Sequence, residues 1–413
     1  MPHDSDLEIL APQTSSLIDA SPRDGPVLQS TESGPTDRRT FLKILTLPCL
    51  AACTAACMQR WFVLPLEAAP MAEDDSRFRV EARFYQKLPN KTVQCRLCPR
   101  GCVVADGGRG HCRVRENRKG TYYSLVHSRV CAAHIDPIEK KPFFHFHPGI
   151  LAFSLATAGC NVNCKFCQNW EISQAMPEEL PAKYLPPHDV AALAKQYGCP
   201  AVAFTYSEPT VFNEFVTDSA DAARGEGVKS VVVSNGFIQQ EPLKSLCQHV
   251  DAIKIDLKAF SATYYRDVVN GELQPVLDAL VTTRKQAKWM EIVHLIVPTL
   301  NDSDTELRGL ARWIKSNLGT DVPVHFTRFQ PLYLLKNLPP TPVETLERAK
   351  AIADAEGLQY CYIGNVPGHP AENTYCPKCR RLLIGRIGFT VNQMHLRQGK
   401  CEYCQHSIPG VWG

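Results

Sequence analysis

Three cysteines lie close together near the middle of the sequence: Cys160, Cys164 and Cys167. Each iron of a cubane [4Fe-4S] cluster takes a thiolate ligand, so three cysteines satisfy three of its four irons. The fourth iron then stays open to a small molecule. The C-x3-C-x2-C spacing therefore predicts an iron–sulfur centre that binds a ligand directly.

A zinc knuckle is the alternative interpretation, because Cys164 and Cys167 alone form a C-x2-C pair. A structural zinc requires four ligands, and the next cysteine along the chain is Cys199, which opens a separate strand after a helical pattern. No second C-x2-C pair follows at zinc-ribbon spacing from this one. The spacing therefore favours the cluster.

Two further groups of four cysteines flank this centre, termed the N-terminal and C-terminal groups below. The C-terminal group has two C-x2-C pairs about twenty residues apart, which is typical of a zinc ribbon that folds with its metal, although a cluster also fits. The N-terminal group lies between glycines that permit tight turns, and its spacing fits zinc or an auxiliary cluster equally, with a disulfide knot as the alternative. The N-terminal group is Cys95, Cys98, Cys102 and Cys112, and the C-terminal group is Cys376, Cys379, Cys401 and Cys404.

Composition narrows the class of protein only slightly. The 413 residues can hold one large domain with small modules. A net charge of +3 gives little support for nucleic acid as a partner, even though basic residues lie within the C-terminal group. The 18 cysteines occur in groups, which favours metal sites over a disulfide framework and predicts assembly of the clusters in the cytoplasm.

Short apolar runs alternate with helical patterns over residues 141–366, which predicts a parallel sheet with right-handed crossovers. Six or seven such units fall short of a complete eight-fold barrel. The predicted fold class is α/β, a partial (β/α)6-type TIM barrel, with cysteine-rich modules at residues 83–140 and 367–413. A doubly wound open sheet is the alternative. The predicted strands are Ile150–Ala158, Ala201–Tyr206, Lys229–Ser234, Ala252–Leu257, Met290–Val297, Val322–Phe329 and Leu358–Ile363.

Polar residues follow or lie within these strands, near their carboxyl ends. Active residues of barrel sheets occupy those ends, so one polar group per strand predicts a shared site. Charged residues there can also be salt-bridged scaffolding. The candidates are Glu208, Ser234, Asn235, Asp256, Lys258 and His294.

The cysteine triad, with Phe166 beside its last member, resembles the signature of the radical SAM enzymes. Together with the N-terminal group and the tail from Gly364 to Cys379, the triad narrows the resemblance. The chain is similar to the radical SAM member of the AmmeMemoRadiSam system, a group related to pyruvate formate-lyase activating enzymes. This resemblance extends from about Tyr85 to the C-terminus. It implies a [4Fe-4S] cluster whose open iron binds S-adenosyl-L-methionine, and a 5′-deoxyadenosyl radical that abstracts hydrogen from a substrate.

The resemblance also implies roles for the strand-end residues. Glu208 corresponds to the motif that holds the methionyl ammonium, and Ser234 and Asn235 to the motif that touches the ribose. Asp256 and Lys258 match an Asp-Leu-Lys motif, which makes Asp256 a cofactor contact. Lys258 and His294 are then candidate catalytic residues, as proton donors or substrate contacts.

Two departures from the activating enzymes are visible in the sequence. Tyr206 and Ser207 replace twin glycines, and no histidine follows Pro331 where those enzymes have one. The segment after the triad also has no cysteine pair, whereas activases with extra clusters usually insert them there. These differences count against a glycyl-radical activase, which stays an alternative, as does a non-enzymatic iron–sulfur electron carrier.

The expected partners follow from the same resemblance. The substrate is unidentified and is either a small molecule or a protein. Memo-like and AMMECR-like proteins are candidate partners, and flavodoxin or ferredoxin is the expected electron donor. RNA modification through the C-terminal group is a further alternative.

Residues 1–74 form a leader that differs from the rest of the chain. Its first part is rich in Ser, Pro and Asp, which is typical of disorder. Arg38 and Arg39 precede a short apolar run, Ile44 to Ala56, which resembles a twin-arginine export signal, and Leu50 to Cys53 resembles a lipoprotein cleavage box. Export to the periplasm or anchoring at a membrane would conflict with the cytoplasmic supply of S-adenosylmethionine and reductant.

Overall fold

The computed structural model describes residues 75–286 and 288–412, and the leader with its signal-like motifs lies outside them. Its central feature is an eight-stranded sheet whose strands lie side by side in chain order. The first strand is antiparallel to the second, and the other neighbours are parallel. The strands are β1 (Ala132–Pro137), β2 (Leu151–Ala156), β3 (Ala201–Phe204), β4 (Lys229–Ser234), β5 (Ala252–Asp256), β6 (Trp289–Ile296), β7 (Val324–Arg328) and β8 (Cys361–Gly364).

Each parallel strand is connected to the next by a helical crossover. Because the strand order never reverses, the sheet winds as a barrel does and not as a doubly wound sheet. Within the described residues β1 and β8 remain its two edges, so the barrel is partial, as predicted, with seven parallel strands. The helices are α1 (Pro187–Gln196), α2 (Asn213–Gly225), α3 (Gln240–His249), α4 (Leu273–Lys285), α5 (Asp304–Leu318) and α6 (Val343–Ala355).

Helix α5 illustrates how the sequence builds these crossovers. Its hydroxyl cap, Ser303, accepts a hydrogen bond from the backbone N–H of Glu306, and the helix ends at Gly319 with φ of +99°. The buried residues recur at helical spacing and form one apolar stripe against the sheet. They are Leu307, Leu310, Ala311, Ile314 and Leu318.

Side chains alternate between the two faces of the sheet. On β3, Val202 and Phe204 pack in the main core with the helices, whereas Ala201 and Ala203 belong to a second, smaller cluster on the other face. Small residues on this concave face leave space inside the partial barrel. Toward the carboxyl ends that face carries charged residues, which form the site described below.

The N-terminal module consists of two three-stranded antiparallel sheets. The two-residue connection between Arg118 and Thr121 has positive φ at Lys119 (55°) and Gly120 (86°), as a tight hairpin requires. The strands are Val80–Glu81, Thr121–Ser124 and Arg115–Arg118 in one sheet, and Tyr85–Lys87, Val93–Cys95 and Val103–Val104 in the other.

The C-terminal module packs against the barrel through Arg386, whose Nη2 donates a hydrogen bond to the Phe144 carbonyl at 2.8 Å. It consists of a three-stranded sheet and a short hairpin. The sheet strands are Thr374–Tyr375, Leu382–Ile387 and Thr390–Met394, and the hairpin strands are Leu396–Arg397 and Lys400–Cys401.

Several short elements complete the described fold. A two-stranded ladder pairs Arg129–Val130 with Lys183–Tyr184. The main sheet begins at Ala132, earlier than the boundary at residue 141 that the apolar pattern predicted. None of the helices in the described ranges is long and apolar enough to cross a membrane. The short helices are Asp75–Phe78, Ile138–Lys140, Trp170–Ser173, Pro177–Glu179, Pro209–Phe212, Ala262–Tyr264, Tyr265–Val269 and Pro370–Glu372.

Candidate functional site

A cavity of about 470 Å³ lies at the carboxyl ends of the parallel strands, and this cavity is called the central cavity below. The three cysteines of the triad line it on one side. Residues from the ends of successive strands line it on the other, so the structure brings together most of the residues that the sequence singled out. The predicted residues that line it are Cys160, Cys164, Cys167, Glu208, Ser234, Asn235, Asp256 and Lys258.

The loop that carries the triad is held by backbone hydrogen bonds. The N–H of Asn163 donates to Val269 at 3.1 Å and that of Lys165 donates to Val268 at 2.9 Å. The loop starts at Gly159, which has φ of +96°, a conformation that favours glycine. The loop geometry is therefore set by its neighbours and not by its own sequence alone.

The thiols of the triad suit a bound metal cluster. Burial raises the pKa of the Cys164 thiol to about 12 and that of Cys160 well above its ordinary range, so both need a nearby cation to ionise. A tetrahedral zinc places its sulfurs about 3.8 Å apart, because Zn–S bonds are about 2.3 Å. Among the described residues, the triad does not form a compact set of sulfurs of that kind. This spacing fits a cluster better than a zinc knuckle.

Glu208 joins the ends of β3 and β4. Its Oε1 accepts hydrogen bonds from Ser234 Oγ at 2.7 Å and from Thr210 Oγ1 at 2.7 Å, and its Oε2 accepts from the Asn235 N–H at 2.8 Å. Burial raises the pKa of this carboxyl, while these donors oppose the rise. The predicted cofactor contacts Glu208, Ser234 and Asn235 therefore form one hydrogen-bonded unit on the cavity wall.

The end of β5 holds one carboxylate between two ammonium groups. Asp256 accepts from Lys258 Nζ at 3.2 Å and pairs with Lys254 through its other oxygen. Burial acts to raise the pKa of Asp256, but the two lysines outweigh it and hold the pKa low. Burial acts to lower the pKa of Lys258, but Asp256 and Cys164 raise it well above its usual value. Lys258 is thus a fixed positive charge facing the triad, not a ready proton donor.

His294 does not face the central cavity, which corrects the expectation from the sequence. Its neighbours Val293 and Leu295 line the cavity, so the alternation of β6 turns His294 toward the helices. The ring is fully buried, and its Nδ1 donates to the Leu257 carbonyl at 2.8 Å. Burial lowers its pKa to about 4. Its Nε2 is buried without a hydrogen-bond partner among the described residues, so this histidine lies in the core and not among the residues that line the cavity.

A hydrogen-bonded network that the sequence did not indicate contributes two further residues, Lys141 and Tyr206, to the wall of the central cavity. Lys141 contacts Tyr206 Oη at 3.1 Å and pairs with Asp136, and the Tyr206 hydroxyl donates to the same carboxylate. Asp136 is on β1, the antiparallel strand that the helical rhythm did not predict. The signal available in the sequence was a run of charged residues, Asp136, Glu139, Lys140 and Lys141, between apolar residues.

Tyr206 occupies the position of the first missing glycine and has φ of +64°, a left-handed conformation that glycine adopts freely. A tyrosine there carries a backbone cost of about 1–2 kcal/mol. Its hydroxyl contacts to Asp136 and Lys141 offset that cost. The departure from twin glycines thus places a phenol in the cavity wall.

The C-terminal group forms a compact set of four sulfurs, all within 4.8 Å of one another. Cys376 and Cys404 lie 3.6 Å apart, and Cys379 and Cys401 lie 3.7 Å apart. These distances match a tetrahedral metal ion with four thiolates. The N-terminal group lies elsewhere, around a separate small cavity on the barrel side of its module.

Comparisons with known proteins agree with this geometry. The family model described as the radical SAM superfamily matches residues 154–313. The chain is 45% identical over 330 residues to the uncharacterized protein MJ0808 of Methanocaldococcus jannaschii, covering 79% of this chain and 98% of that protein. It is 25% identical over 167 residues to the pyruvate formate-lyase-activating enzyme of Clostridium pasteurianum, covering 38% of this chain and 67% of that enzyme.

Among solved structures, a radical SAM methyltransferase from Sphaerobacter thermophilus is similar with a TM-score of 0.41 and 14% identity, over 69% of this chain and 76% of that chain. The residues matched by the family model include the triad loop and the strand ends from β3 to β6. The chain belongs to the radical SAM superfamily.

Proposed function

We propose that the protein is an enzyme that cleaves S-adenosylmethionine reductively and uses the resulting radical to abstract hydrogen from a substrate. One observation carries this proposal. The three thiols of Cys160, Cys164 and Cys167 and the polar ends of β3, β4 and β5 face the same cavity of about 470 Å³. An electron carrier needs no cavity of this kind, which counts against that alternative.

The triad would hold a [4Fe-4S] cluster through three thiolates. When bound, such a cluster supplies one electron to the sulfonium of S-adenosylmethionine, which yields methionine and a 5′-deoxyadenosyl radical. The chain contributes position and charge. Lys258 and Lys254 place two ammonium groups around Asp256, and Lys141 adds a third cation on the opposite wall. These cations suit the carboxylate of the cofactor or an anionic substrate.

The residues of the Glu208 unit orient what binds beside the triad. Asn235 donates from Nδ2 to Asn161 Oδ1 at 2.8 Å, and the same nitrogen lies 3.7 Å from Cys160 Sγ. Ser234 and Glu208 connect this amide to the end of β3. The unit therefore couples the strand ends to the triad loop, as a site that must fix the orientation of its cofactor requires.

The direct test is formation of 5′-deoxyadenosine. The full chain is reconstituted with iron and sulfide without oxygen, reduced, and given S-adenosylmethionine. We expect the nucleoside and methionine in equal amounts, and we expect Cys164→Ala to abolish both. Cys247→Ala is the matched control, because Cys247 is a buried cysteine on α3 that does not line the central cavity. An EPR signal that S-adenosylmethionine leaves unchanged, with no product, would sink the proposal.

A glycyl-radical activase is the second candidate, because one relative, MJ1632 of Methanocaldococcus jannaschii, is named a putative glycyl-radical enzyme activating enzyme. Other relatives are named as activating enzymes of pyruvate formate-lyase in Clostridium pasteurianum and of benzylsuccinate synthase in Thauera aromatica. An activase would generate an organic radical on a partner protein that EPR detects. We propose Memo-like and AMMECR-like proteins, together with small molecules, as the first substrates and partners to test. Hydrogen abstraction from a small molecule alone would exclude the activase assignment.

A further inference from the structure

We propose that the N-terminal group of four cysteines holds a second iron–sulfur cluster, and that this cluster passes electrons to the centre at the triad. The electron-transfer part rests on the proposed function. The presence of the cluster does not.

The four thiols converge on one small enclosed cavity, although they come from separate turns of the N-terminal module. Besides the cysteines, Arg115 and Tyr122 line it. A Cβ on Gly110 would lie only 2.5 Å from Tyr122 Oη, so glycine lets the chain pass beside the buried phenol, and the same point is 3.9 Å from both Cys102 Sγ and Cys112 Sγ. Cys95, Cys98, Cys102 and Cys112 thus form one site in space.

Polar groups around the cavity have the arrangement of a site built for an anionic metal centre. The His111 N–H donates to Cys102 Sγ at 3.4 Å. The Tyr122 side chain is fully buried, and its hydroxyl has no hydrogen-bond partner within the part of the chain that the structure describes. The Arg115 guanidinium is buried beside the thiols and pairs with Glu214. A buried hydroxyl without a hydrogen-bond partner destabilises the fold, and a sulfide or thiolate in the cavity would accept a hydrogen bond from it.

The spacing of the sulfurs distinguishes a cluster from a single ion. Four thiolates on one zinc lie about 3.8 Å apart. The C-terminal group has this geometry, with pairs at 3.6 and 3.7 Å. Among the described residues, the N-terminal group does not form a compact set of sulfurs of this kind. They surround a cavity instead of meeting at a point, which fits the larger core of a cluster held by four cysteines.

The site lies directly against the triad loop. A Cβ on Gly159, the residue before Cys160, would be 2.9 Å from the carbonyl oxygen of Cys112. Asn161, the residue after Cys160, lines the N-terminal cavity and accepts a hydrogen bond from Asn235 at 2.8 Å. The residues on both sides of Cys160 thus touch the second site.

The electron balance is simple. A reduced flavin or iron–sulfur protein gives one electron to the second cluster and is oxidised by one electron. The second cluster then gives one electron to the centre at the triad and returns to its starting oxidation state. No proton or bond changes in this transfer.

The first test removes the triad and asks whether a cluster remains. The variant Cys160→Ala/Cys164→Ala/Cys167→Ala is reconstituted, and iron, acid-labile sulfide and zinc are measured together with EPR. We expect iron and sulfide in equal amounts and a signal that S-adenosylmethionine does not change. Adding Cys98→Ser to this triple variant should remove the iron, the sulfide and the EPR signal, whereas adding Cys131→Ser should leave all three unchanged. Zinc in place of iron, or no iron, would overturn the proposal, and neither result depends on cleavage of S-adenosylmethionine.

The second test addresses electron transfer with the triad intact. Cys98→Ser is compared with the unchanged chain, using reduced flavodoxin and titanium(III) citrate as donors. We expect 5′-deoxyadenosine formation to fall about tenfold further with flavodoxin than with the small reductant, because the protein donor depends on the second cluster. An equal loss with both donors would overturn the relay. Absence of product from the unchanged chain with either donor would count against the proposed function instead.

Discussion

The charged side chains of the central cavity form pairs of opposite sign. Asp256 is the counter-charge of both Lys254 and Lys258. Lys254 is buried, and its ammonium group contacts Asp256. Lys258 reaches the other carboxylate oxygen at 3.2 Å. Without Asp256, two ammonium groups would face each other with little solvent to screen them. The Asp256 carboxylate therefore stabilises the fold around the central cavity and keeps both lysines in their charged form.

Asp256→Asn should lower the free energy of unfolding by about 3 kcal/mol, because it leaves the buried Lys254 without its counter-charge. Urea denaturation measures this loss. Asp267→Asn is the matched control, since Asp267 pairs with Arg266 at 2.7 Å on the exposed surface. An exposed pair contributes about 0–1 kcal/mol, so equal losses in the two variants would contradict the assignment.

Tyr206→Phe tests whether the hydroxyl offsets the left-handed backbone at this position. The variant keeps the ring and the φ of +64° but loses the hydrogen bond to the buried Asp136 carboxylate. Hydrogen bonds to charged groups contribute about 1.5–3 kcal/mol, and thermal or urea unfolding should show a loss of that size. Tyr184→Phe, at an exposed tyrosine, should change stability by less than about 0.5 kcal/mol. No difference between the two would show that the hydroxyl contributes nothing to stability.

At the scale of elements, the triad loop is shaped by the N-terminal module packed against it. Gly159 has φ of +96°, and a Cβ there would lie 2.5 Å from Cγ1 of Val114. Arg100 adds a second link, since its Nε donates to the Asn161 carbonyl at 2.6 Å. The loop and the module therefore form one packed unit, although about fifty residues separate Cys112 from Cys160 in the chain.

Gly159→Ala should reduce stability by roughly 2–5 kcal/mol, since it adds a clash with Val114 to the cost of positive φ. Gly198→Ala isolates the second contribution, because Gly198 has φ of +66° and nothing within 4 Å of a Cβ. Its cost should be roughly 1 kcal/mol. The stability of the two variants is compared by denaturation curves, and their cluster content is compared by iron analysis after reconstitution. Similar losses would mean that the contact between module and loop is not tight.

At the scale of the whole molecule, a buried histidine connects the barrel to the C-terminal module. His145 Nδ1 donates to the Pro409 carbonyl at 2.7 Å, so its Nε2 accepts from the Tyr362 hydroxyl at 2.5 Å. The backbone N–H of His145 donates to Glu291 at 2.8 Å. The neutral ring thus satisfies both of its nitrogens, and protonation would place a positive charge in a buried site.

This arrangement predicts acid sensitivity. Burial lowers the pKa of His145 to about 4, below its value of about 6.5 in the unfolded chain, so the unfolded state binds more protons between these values. Stability is full above pH 6.5 and falls as the pH drops toward 4, by about 2 kcal/mol between pH 7 and pH 5 from this group. His145→Gln should remove that part of the slope in urea titrations at the two pH values. An unchanged slope would contradict the role of His145.

The sequence by itself indicated the radical SAM superfamily and the order of the strands. The cysteine spacing indicated the cluster, and the apolar runs predicted all seven parallel strands, because both signals are local in the chain. The strand ends also supplied Glu208, Ser234, Asn235, Asp256 and Lys258, which share one cavity. Periodicity and spacing suffice where the chain itself sets the geometry.

Only the tertiary structure decided which side chains meet. It turned His294 into the core, since a strand places neighbouring residues on opposite faces and the register was not readable from one strand. It brought Asp136 and Lys141 to Tyr206 through an antiparallel strand without a helical rhythm to mark it. The separation of the sulfurs in the two outer cysteine groups likewise depends on how distant turns pack. Contacts between distant segments follow from packing in three dimensions, which spacing along the chain does not encode.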